Sequence, residues 1–308
     1  MTAVLAEDTI ELDAAGSTQR EKTARRLLAS SARHSYNPDL DIDCESGPVE
    51  GMWHMQPERM TLYGTPMWEA LTEEQRIELS KHEVASVASV GIWFETILMQ
   101  MLLRLYHKQD PTSTHAQYAL TEVADECRHS VMFGRMIAKL DTPVYRVGAR
   151  DQLLGRYLTA TARGVRMFSA ILIAEEILDA WQREGMVDES VQPIMRAISR
   201  IHVIEEARHV RWAKEELERT APRMGAAERA YSQLVIGRAA HTIARNLINP
   251  DVYKAVGIEP AEGRRAALAN PRHRETLKWA ATKVVAFLGE LGLVGGPGMP
   301  FWRRSGLL

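Results

Sequence analysis

Residues 202–212 read HVIEEARHVRW, a stretch in which two histidines and two glutamates alternate with large apolar side chains. A helix turns by about 100° per residue, so His202, Glu206 and His209 share one stripe of a helix. The apolar neighbours argue against a freely solvated face. For this stretch alone, an exposed patch of glutamate and histidine with ordinary i,i+4 pairing is the alternative interpretation.

A second stretch of the chain repeats the pattern. The sequence DECRH at residues 125–129 matches EEARH at residues 205–209, eighty positions later. A glutamate in a strongly apolar segment stands 31 positions before the Glu-x-x-His glutamate of each copy: Glu95 in the first and Glu175 in the second. Two matching spacings are hard to obtain by chance. We therefore interpret the chain as containing two copies of a helical hairpin.

The chemistry of metal binding explains this arrangement. A Glu-x-x-His pair places a carboxylate and an imidazole about 60° apart on one helix face, within reach of one metal ion. Two such helices, with one glutamate from each of two others, form the ligand set of ferritin-like di-iron and di-manganese bundles. Two divalent ions would cancel four buried carboxylate charges, and without metal we expect several of these pKa values to rise. The predicted ligands are Glu95, Glu126, His129, Glu175, Glu206 and His209.

Four charged residues beside these motifs are candidates for a supporting role. Metal-bound histidines usually donate their second ring N–H to a carboxylate. Asp125 and Glu205 each precede a ligand glutamate, and we expect each to serve the histidine of the facing helix, with Arg128 and Arg208 as their ion-pair partners. Ordinary surface charge is the alternative.

The repeat breaks at His202, whose counterpart in the first copy is Glu122. An isolated histidine one turn before a ligand is often a packed or hydrogen-bonded residue. Because His202 shares the stripe of Glu206 and His209, we predict that it is a third nitrogen ligand.

Composition restricts the class of protein. A chain of 308 residues with 45% hydrophobic and 25% charged residues is typical of a soluble globular protein with a substantial core. The net charge of −2 gives no electrostatic reason to expect nucleic acid or an anionic membrane as a partner. Cys44 and Cys127 form no disulfide framework and the N-terminus lacks a signal-peptide pattern, so we expect reduced thiols and a cytoplasmic location.

One apolar segment raises the question of a membrane span. Residues 84–103 contain a single charge, Glu95, and are long enough to cross a bilayer. A charge at the centre of a bilayer is costly, and the hairpin repeat explains both the apolar character and the glutamate. We predict a buried core helix and no membrane.

The pattern along the chain predicts an all-α fold: a ferritin-like four-helix bundle with additional N- and C-terminal helices, in one domain over residues 1–308. No strand alternation is visible, and no linker requires a second domain. The ligand-bearing helices are expected at about 84–107, 113–139, 163–185 and 189–219, the third within a helical stretch that starts near residue 150.

The remaining segments have weaker patterns. Thr72-x-x-Gln75 predicts a capping box at the start of the helix that leads into the first ligand-bearing segment. Residues 36–68 predict a long irregular segment wrapped on the bundle, and the Gly-Gly-Pro-Gly sequence at 295–298 predicts the end of regular structure. Further helices are expected at 17–35, 225–248 and 271–291, and disorder at residues 1–16.

Together these residues resemble the p-aminobenzoate N-oxygenase family of ferritin-like di-iron enzymes over roughly residues 84–217. The hallmark of that family is a seven-ligand site with the pattern His-x-x-x-Glu-x-x-His on the fourth helix, which is present here as His202, Glu206 and His209. The resemblance implies that the remaining ligands are Glu95, Glu126, His129 and Glu175.

The resemblance also implies a reaction. Two iron ions, or possible manganese, would activate the co-substrate O2 and oxidise an amine nitrogen, for example of p-aminobenzoate, through hydroxylamine and nitroso stages to the nitro compound. Electrons would come from an external reductant or donor protein, because no Gly-rich nucleotide loop is present. Another di-iron oxidase, such as a C-hydroxylase or a radical-generating relative, is the second interpretation, and a non-catalytic iron-binding bundle is the third.

The sequence offers several candidates for the residues that orient the substrate, and one segment that could form an oligomer interface. A carboxylated arylamine would favour an arginine in its pocket. The candidates are Arg104, Arg163, Arg166, Arg274 and Arg303, and Met99, Met132 and Met167 could line the pocket or pack in the core. We expect a homodimer, for which residues 36–68 offer the apolar side chains Met52, Trp53, Met55 and Trp68.

Overall fold

Twelve α-helices make up most of residues 18–43 and 47–308, the part of the chain that the computed structural model describes. No strand is present in this part; Trp53 and Val191 form an isolated parallel bridge. The helices are α1 (Gln19–Ser31), α2 (Pro38–Asp41), α3 (Pro66–Glu69), α4 (Glu73–Tyr106), α5 (Thr114–Lys139), α6 (Ala149–Thr161), α7 (Val165–Gly185), α8 (Pro193–Thr220), α9 (Ala226–Asn246), α10 (Pro260–Ala269), α11 (Pro271–Glu290) and α12 (Met299–Ser305). The predicted all-α fold class is confirmed.

Helix α4 is continuous over 34 residues and begins at the predicted capping box. The Gln75 amide N–H donates to the Thr72 hydroxyl, and the Thr72 N–H donates to the Gln75 side chain. By length and composition α4 could cross a membrane, but 56% of its most apolar window is buried inside the protein. It also buries the carboxylates of Glu83 and Glu95, which is typical of a core helix with polar partners.

The four ligand-bearing helices form two packed hairpins. Helix α4 packs along α5 and α7 packs along α8, while α4 also contacts α7 and α5 contacts α8. Helix α7 is buried on nearly every side, because α9 and α11 cover the face that points away from the bundle. This explains why the sequence around Glu175 is apolar all round rather than amphipathic.

The N-terminal segments cover the other side of the bundle. Helix α1 packs against α5 and α8. In the segment predicted to be irregular, Met55 and Trp68 are buried within the chain, whereas Met52 and Trp53 are half-buried. The apolar surface offered for self-association is therefore smaller than the sequence suggests, and the homodimer stays a prediction.

Three details of the predicted organisation differ from the structure. The helical stretch near 150–185 is broken at residues 162–164, where Gly164 has φ 48°, a left-handed conformation that glycine adopts without strain. The regular structure continues beyond residues 295–298, because α12 follows and buries Trp302 completely. Helices α2, α3 and α10 were also not predicted; like α12 they are short, so none of them shows a clear periodicity.

Two predictions concern residues outside the described ranges. Disorder at residues 1–16 and the state of Cys44 both fall there. Cys127 lies within the described residues as an exposed free thiol.

Candidate metal centre

The bundle interior brings the predicted ligands together. Each of the four bundle helices contributes at least one of them, and all are at most 3% exposed. They are Glu95 on α4, Glu126 and His129 on α5, Glu175 on α7, and His202, Glu206 and His209 on α8.

The carboxylates of Glu126 and Glu206 lie between two imidazole rings. His129 Nδ1 is 3.3 Å from Glu126 Oε2 and 3.3 Å from Glu206 Oε1. His209 Nδ1 is 3.1 Å from Glu126 Oε1 and 3.0 Å from Glu206 Oε1. Each of these two glutamates can therefore reach the ion that either histidine would bind.

The outer ring nitrogens bind the carboxylates predicted for them. His129 Nε2 is 2.8 Å from Glu205 Oε2, and His209 Nε2 is 3.4 Å from Asp125 Oδ2. Both contacts run to the facing helix, as predicted. Because an ionised carboxylate only accepts hydrogen bonds, each Nε2 carries a hydrogen. Without metal each Nδ1 carries one as well, since contacts with the surrounding carboxylates outweigh burial and raise the pKa of both histidines well above its ordinary value. A metal ion would take the place of the hydrogen on each Nδ1.

Two arginines hold the outer carboxylates. Arg208 Nη2 donates to Asp125 Oδ2 at 3.0 Å and lies 3.7 Å from Glu205 Oε1. Arg128 also donates to Asp125 and lies 3.6 Å from Glu205 Oε1. Burial alone would raise the pKa of Asp125, but its contacts with His209 and the two arginines outweigh this and lower the pKa to about 2. The contacts predicted for all four residues are therefore present, and their supporting role for a metal stays a prediction.

His202 points one ring nitrogen at the cluster. Its Nε2 is 3.8 Å from Glu95 Oε1 and 3.8 Å from Glu206 Oε1. Its Nδ1 lies 2.7 Å from Gln182 Oε1, an atom that can only accept. The Nδ1 therefore carries a hydrogen, and Nε2 is the ring nitrogen that faces the carboxylates.

Two residues around the cluster were not identified from the sequence. One is Gln182, which follows Glu175 by two helical turns on α7, and this spacing is the signal that could have revealed it. The other is Ser130, whose hydroxyl donates to Glu95 Oε2 at 2.5 Å. This bond leaves Oε1 as the carboxylate oxygen that faces His202.

The expected rise of the glutamate pKa values holds for two of the four carboxylates. Burial first, and then the neighbouring carboxylates, raise the pKa of Glu175 well above its ordinary value, and burial also raises that of Glu95. For Glu206 and Glu126 the pKa falls instead. Burial opposes ionisation there too, but contacts with the histidines outweigh it and lower both pKa values.

Buried carboxylate oxygens without a hydrogen-bond partner indicate that the cluster fits cations. Among the described residues, Glu95 Oε1, Glu126 Oε1 and Glu206 Oε2 are buried and have no hydrogen-bond partner. Such atoms are costly in a protein interior unless something binds them. Donor atoms of Glu126, His129 and Glu206 lie within 4.8 Å of one another, as do those of Glu175, His202 and Glu206. These buried groups are consistent with a centre of two metal ions.

An apolar cavity of about 380 Å³ reaches the cluster at Glu175. It lies between α4, α6, α7 and α9, with walls that include Phe94, Ile97, Met101 and Ile171. Three exposed residues, Tyr157, Tyr231 and Arg238, mark its mouth.

The substrate-orienting candidates from the sequence do not lie in this cavity. None of the five arginines predicted for this role lines it, whereas Arg238 does. Met132 and Met167 are buried in the hydrophobic core, which was the alternative expected for them, and Met99 is half-buried away from the lining. Arg238 was not identified from the sequence, because α9 carries no metal-binding motif that would have drawn attention to this helix.

The family profile described as "P-aminobenzoate N-oxygenase AurF" matches residues 17–292. The chain belongs to this family. The AurF family is ferritin-like, which agrees with the helical bundle, and the matched range includes all four helices that surround the cluster. The buried carboxylates and histidines thus form the candidate di-iron site of an AurF-family oxygenase.

Two curated relatives come from mycobacteria. They are the uncharacterized protein Mb0909 of Mycobacterium bovis and the uncharacterized protein Rv0885 of Mycobacterium tuberculosis. Each is 29% identical over 247 residues, which cover 78% of this chain and 72% of the relative.

Proposed function

We propose that this AurF-family protein is a di-iron oxygenase that uses O2 to oxidise an amine nitrogen. The main support is the contact between the buried carboxylate–histidine cluster and the apolar cavity, which meet at Glu175. A metal centre without an adjoining cavity could store iron but could not hold an organic substrate beside it.

The seven predicted ligands would hold two iron ions. Iron bound there would supply the activation of O2, a reaction for which protein side chains alone have no suitable group. The Nε2–H of His129 donates to Glu205 and that of His209 donates to Asp125, which leaves the Nδ1 atom of each ring to bind metal. An external donor would supply the electrons.

The cavity supports an arylamine as the substrate class. Its apolar walls suit an aromatic ring. An arylamine that enters with its amino group first would bring that group to Glu175 and the metal centre. Arg238 at the mouth could pair with a carboxylate at the far end of the same molecule. An engineered cavity of about 150 Å³ holds benzene, so about 380 Å³ leaves room for a substrate larger than p-aminobenzoate.

The direct test is product analysis with the iron-loaded protein. The protein is supplied with O2, a reductant and either p-aminobenzoate or a two-ring amino acid such as 4′-aminobiphenyl-4-carboxylate, and products are identified by mass spectrometry with 18O2. We expect 18O on the amine nitrogen. Ring or alkyl hydroxylation would replace this proposal by a C-hydroxylase, and bulk iron mineralisation without product would indicate storage.

The role of Arg238 has its own test. Arg238→Gln should raise KM for the carboxylated amine and leave KM unchanged for the same amine without the carboxylate. Arg303→Gln is the matched control, because Arg303 is also exposed and does not line the cavity. An equal effect of Arg238→Gln on both amines would contradict carboxylate recognition.

A further inference from the structure

Glu122 is a buried carboxylate that the seven-residue set leaves unused. It lies one turn before Glu126 on α5 and is 1% exposed. Among the described residues, its Oε2 is buried with no hydrogen-bond partner. A carboxyl oxygen in this state lacks the interactions that normally offset burial, so its position needs an explanation.

Glu83 shows what a structural buried carboxyl group looks like in the same protein. It is also fully buried, yet it accepts hydrogen bonds from the backbone N–H and the hydroxyl of Thr61. Glu122 has no comparable set of donors. Its carboxylate instead lies within 4.8 Å of donor atoms of Glu126 and His209, in one of the groups able to surround an ion.

The repeat gives a second reason. Glu122 precedes Glu126 by four positions, as His202 precedes Glu206. On α8 this position directs the His202 Nε2 atom at Glu206 and Glu95. Because the two hairpins are packed against each other, the equivalent position on α5 directs the Glu122 side chain at the other half of the centre, beside His209.

We propose that Glu122 is an eighth metal ligand, placed on the His209 side of the metal pair as His202 is placed on the opposite side. One ion would then receive an additional neutral nitrogen and the other an additional anionic oxygen. With Glu122 ionised, five carboxylates would face four positive charges in the diferrous pair and six in the diferric pair, which favours the oxidised pair. The assignment rests on the metal-binding part of the proposed function and not on the amine chemistry.

The test compares metal binding of Glu122→Gln and Glu83→Gln with that of the wild-type chain. Apo protein is titrated anaerobically with Co²⁺, and binding is followed by calorimetry and by the visible absorption of Co²⁺. Glutamine keeps the size of glutamate and removes the anionic ligand. We expect Glu122→Gln to lower the affinity for one of the two ions by at least about 10–100-fold, the range typical even of residues that only support a ligand. The substitution should also alter the Co²⁺ spectrum. Glu83→Gln should bind both ions as the wild type does.

A structural role for Glu122 predicts a different result. Glu122→Gln would then lower the melting temperature of the apo protein and leave both Co²⁺ affinities and the spectrum unchanged, which would overturn the assignment. Failure of the wild-type chain to bind two ions would instead overturn the metal site and the proposed function with it.

A crystal structure of the Co²⁺-loaded wild-type protein decides the matter without any variant. A Glu122 oxygen at about 2.0–2.2 Å from one ion, the distance usual for a carboxylate ligand, supports the proposal. A separation beyond about 3 Å from both ions overturns it.

Discussion

The two ligand-bearing hairpins, α4–α5 and α7–α8, carry the same metal motif but differ in what surrounds it. The residue four positions before the glutamate of the Glu-x-x-His motif is Glu122 in the first hairpin and His202 in the second. His202 is fixed by Gln182, whereas the position eighty residues before Gln182 is Leu102, a fully buried apolar residue. The shared motif gathers the donor atoms, and the unshared residues make the two halves chemically different.

The hairpins also depend on each other. The outer nitrogen of His129 binds Glu205 at 2.8 Å, and that of His209 binds Asp125 at 3.4 Å. Each hairpin therefore supplies the acceptor that orients the histidine of the other. A single hairpin has the ligands of one half-site but lacks the group that sets the tautomer of its histidine.

The largest effect on metal binding and activity is expected from Glu95 and Glu175, which occupy equivalent positions in the two hairpins. Glu95→Ala and Glu175→Ala should each reduce the metal content below two ions per chain and abolish turnover, because each removes a buried anionic donor that no neighbour replaces. Elemental analysis and product formation measure both effects. Glu176→Gln is the control, since Glu176 adjoins Glu175 but pairs with Lys214. Full metal occupancy in either alanine variant would refute the matching of the hairpins.

The next effect concerns the residue at which the hairpins diverge. His202→Ala should retain iron, because it removes a neutral donor and keeps all four carboxylates that balance the charge of the two ions, and should lose amine oxidation by roughly 10–100-fold or more. Metal content and initial rates are measured on the same preparation. A variant that keeps both iron and most of its activity would make His202 a packing residue, and the hairpins would be functionally equivalent.

Exchanging the outer carboxylates for amides tests the dependence of one hairpin on the other. Asp125→Asn and Glu205→Gln should each weaken metal binding by roughly 10–100-fold, because an amide no longer stabilises the imidazole N–H with a full negative charge. Calorimetric titration with Co²⁺ measures the change. Because the contacts are crossed, we expect each variant to lower the affinity for a different one of the two ions. A lower affinity for the same ion in both variants would contradict this.

The smallest effect is expected from making the second hairpin resemble the first at Gln182. Gln182→Leu removes the acceptor of the His202 Nδ1–H, so the ring can adopt the tautomer whose Nε2 carries the hydrogen and cannot bind metal. We expect a loss of activity of about tenfold, at the lower end of the range for such supporting residues. Gln182→Glu retains an acceptor and should restore most of it. Equal losses in both variants would show that the size of the side chain, and not its hydrogen bond, is what His202 requires.

The candidate site illustrates how far a sequence pattern reaches. The Glu-x-x-His spacing fixes an angle on one helix, and the 31-residue spacing fixes which helices pair, so the donor set was predictable. The crossed pairs His129–Glu205 and His209–Asp125 were predictable too, because the repeat places each acid next to a ligand. The pKa values of Glu126 and Glu206 were not, since they depend on how closely two histidines approach each carboxylate.

The sequence by itself determined that this protein is helical, that two hairpins repeat, and which side chains share a stripe facing the interior. These properties depend on residue spacing along one helix, where the geometry of the backbone is constant. Only the tertiary structure decided that Gln182 meets His202, that Arg238 stands at the mouth of a cavity ending at Glu175, and that Glu122 lies beside His209. Such distances join different helices or different faces, and they are set by the angle and depth at which the helices pack.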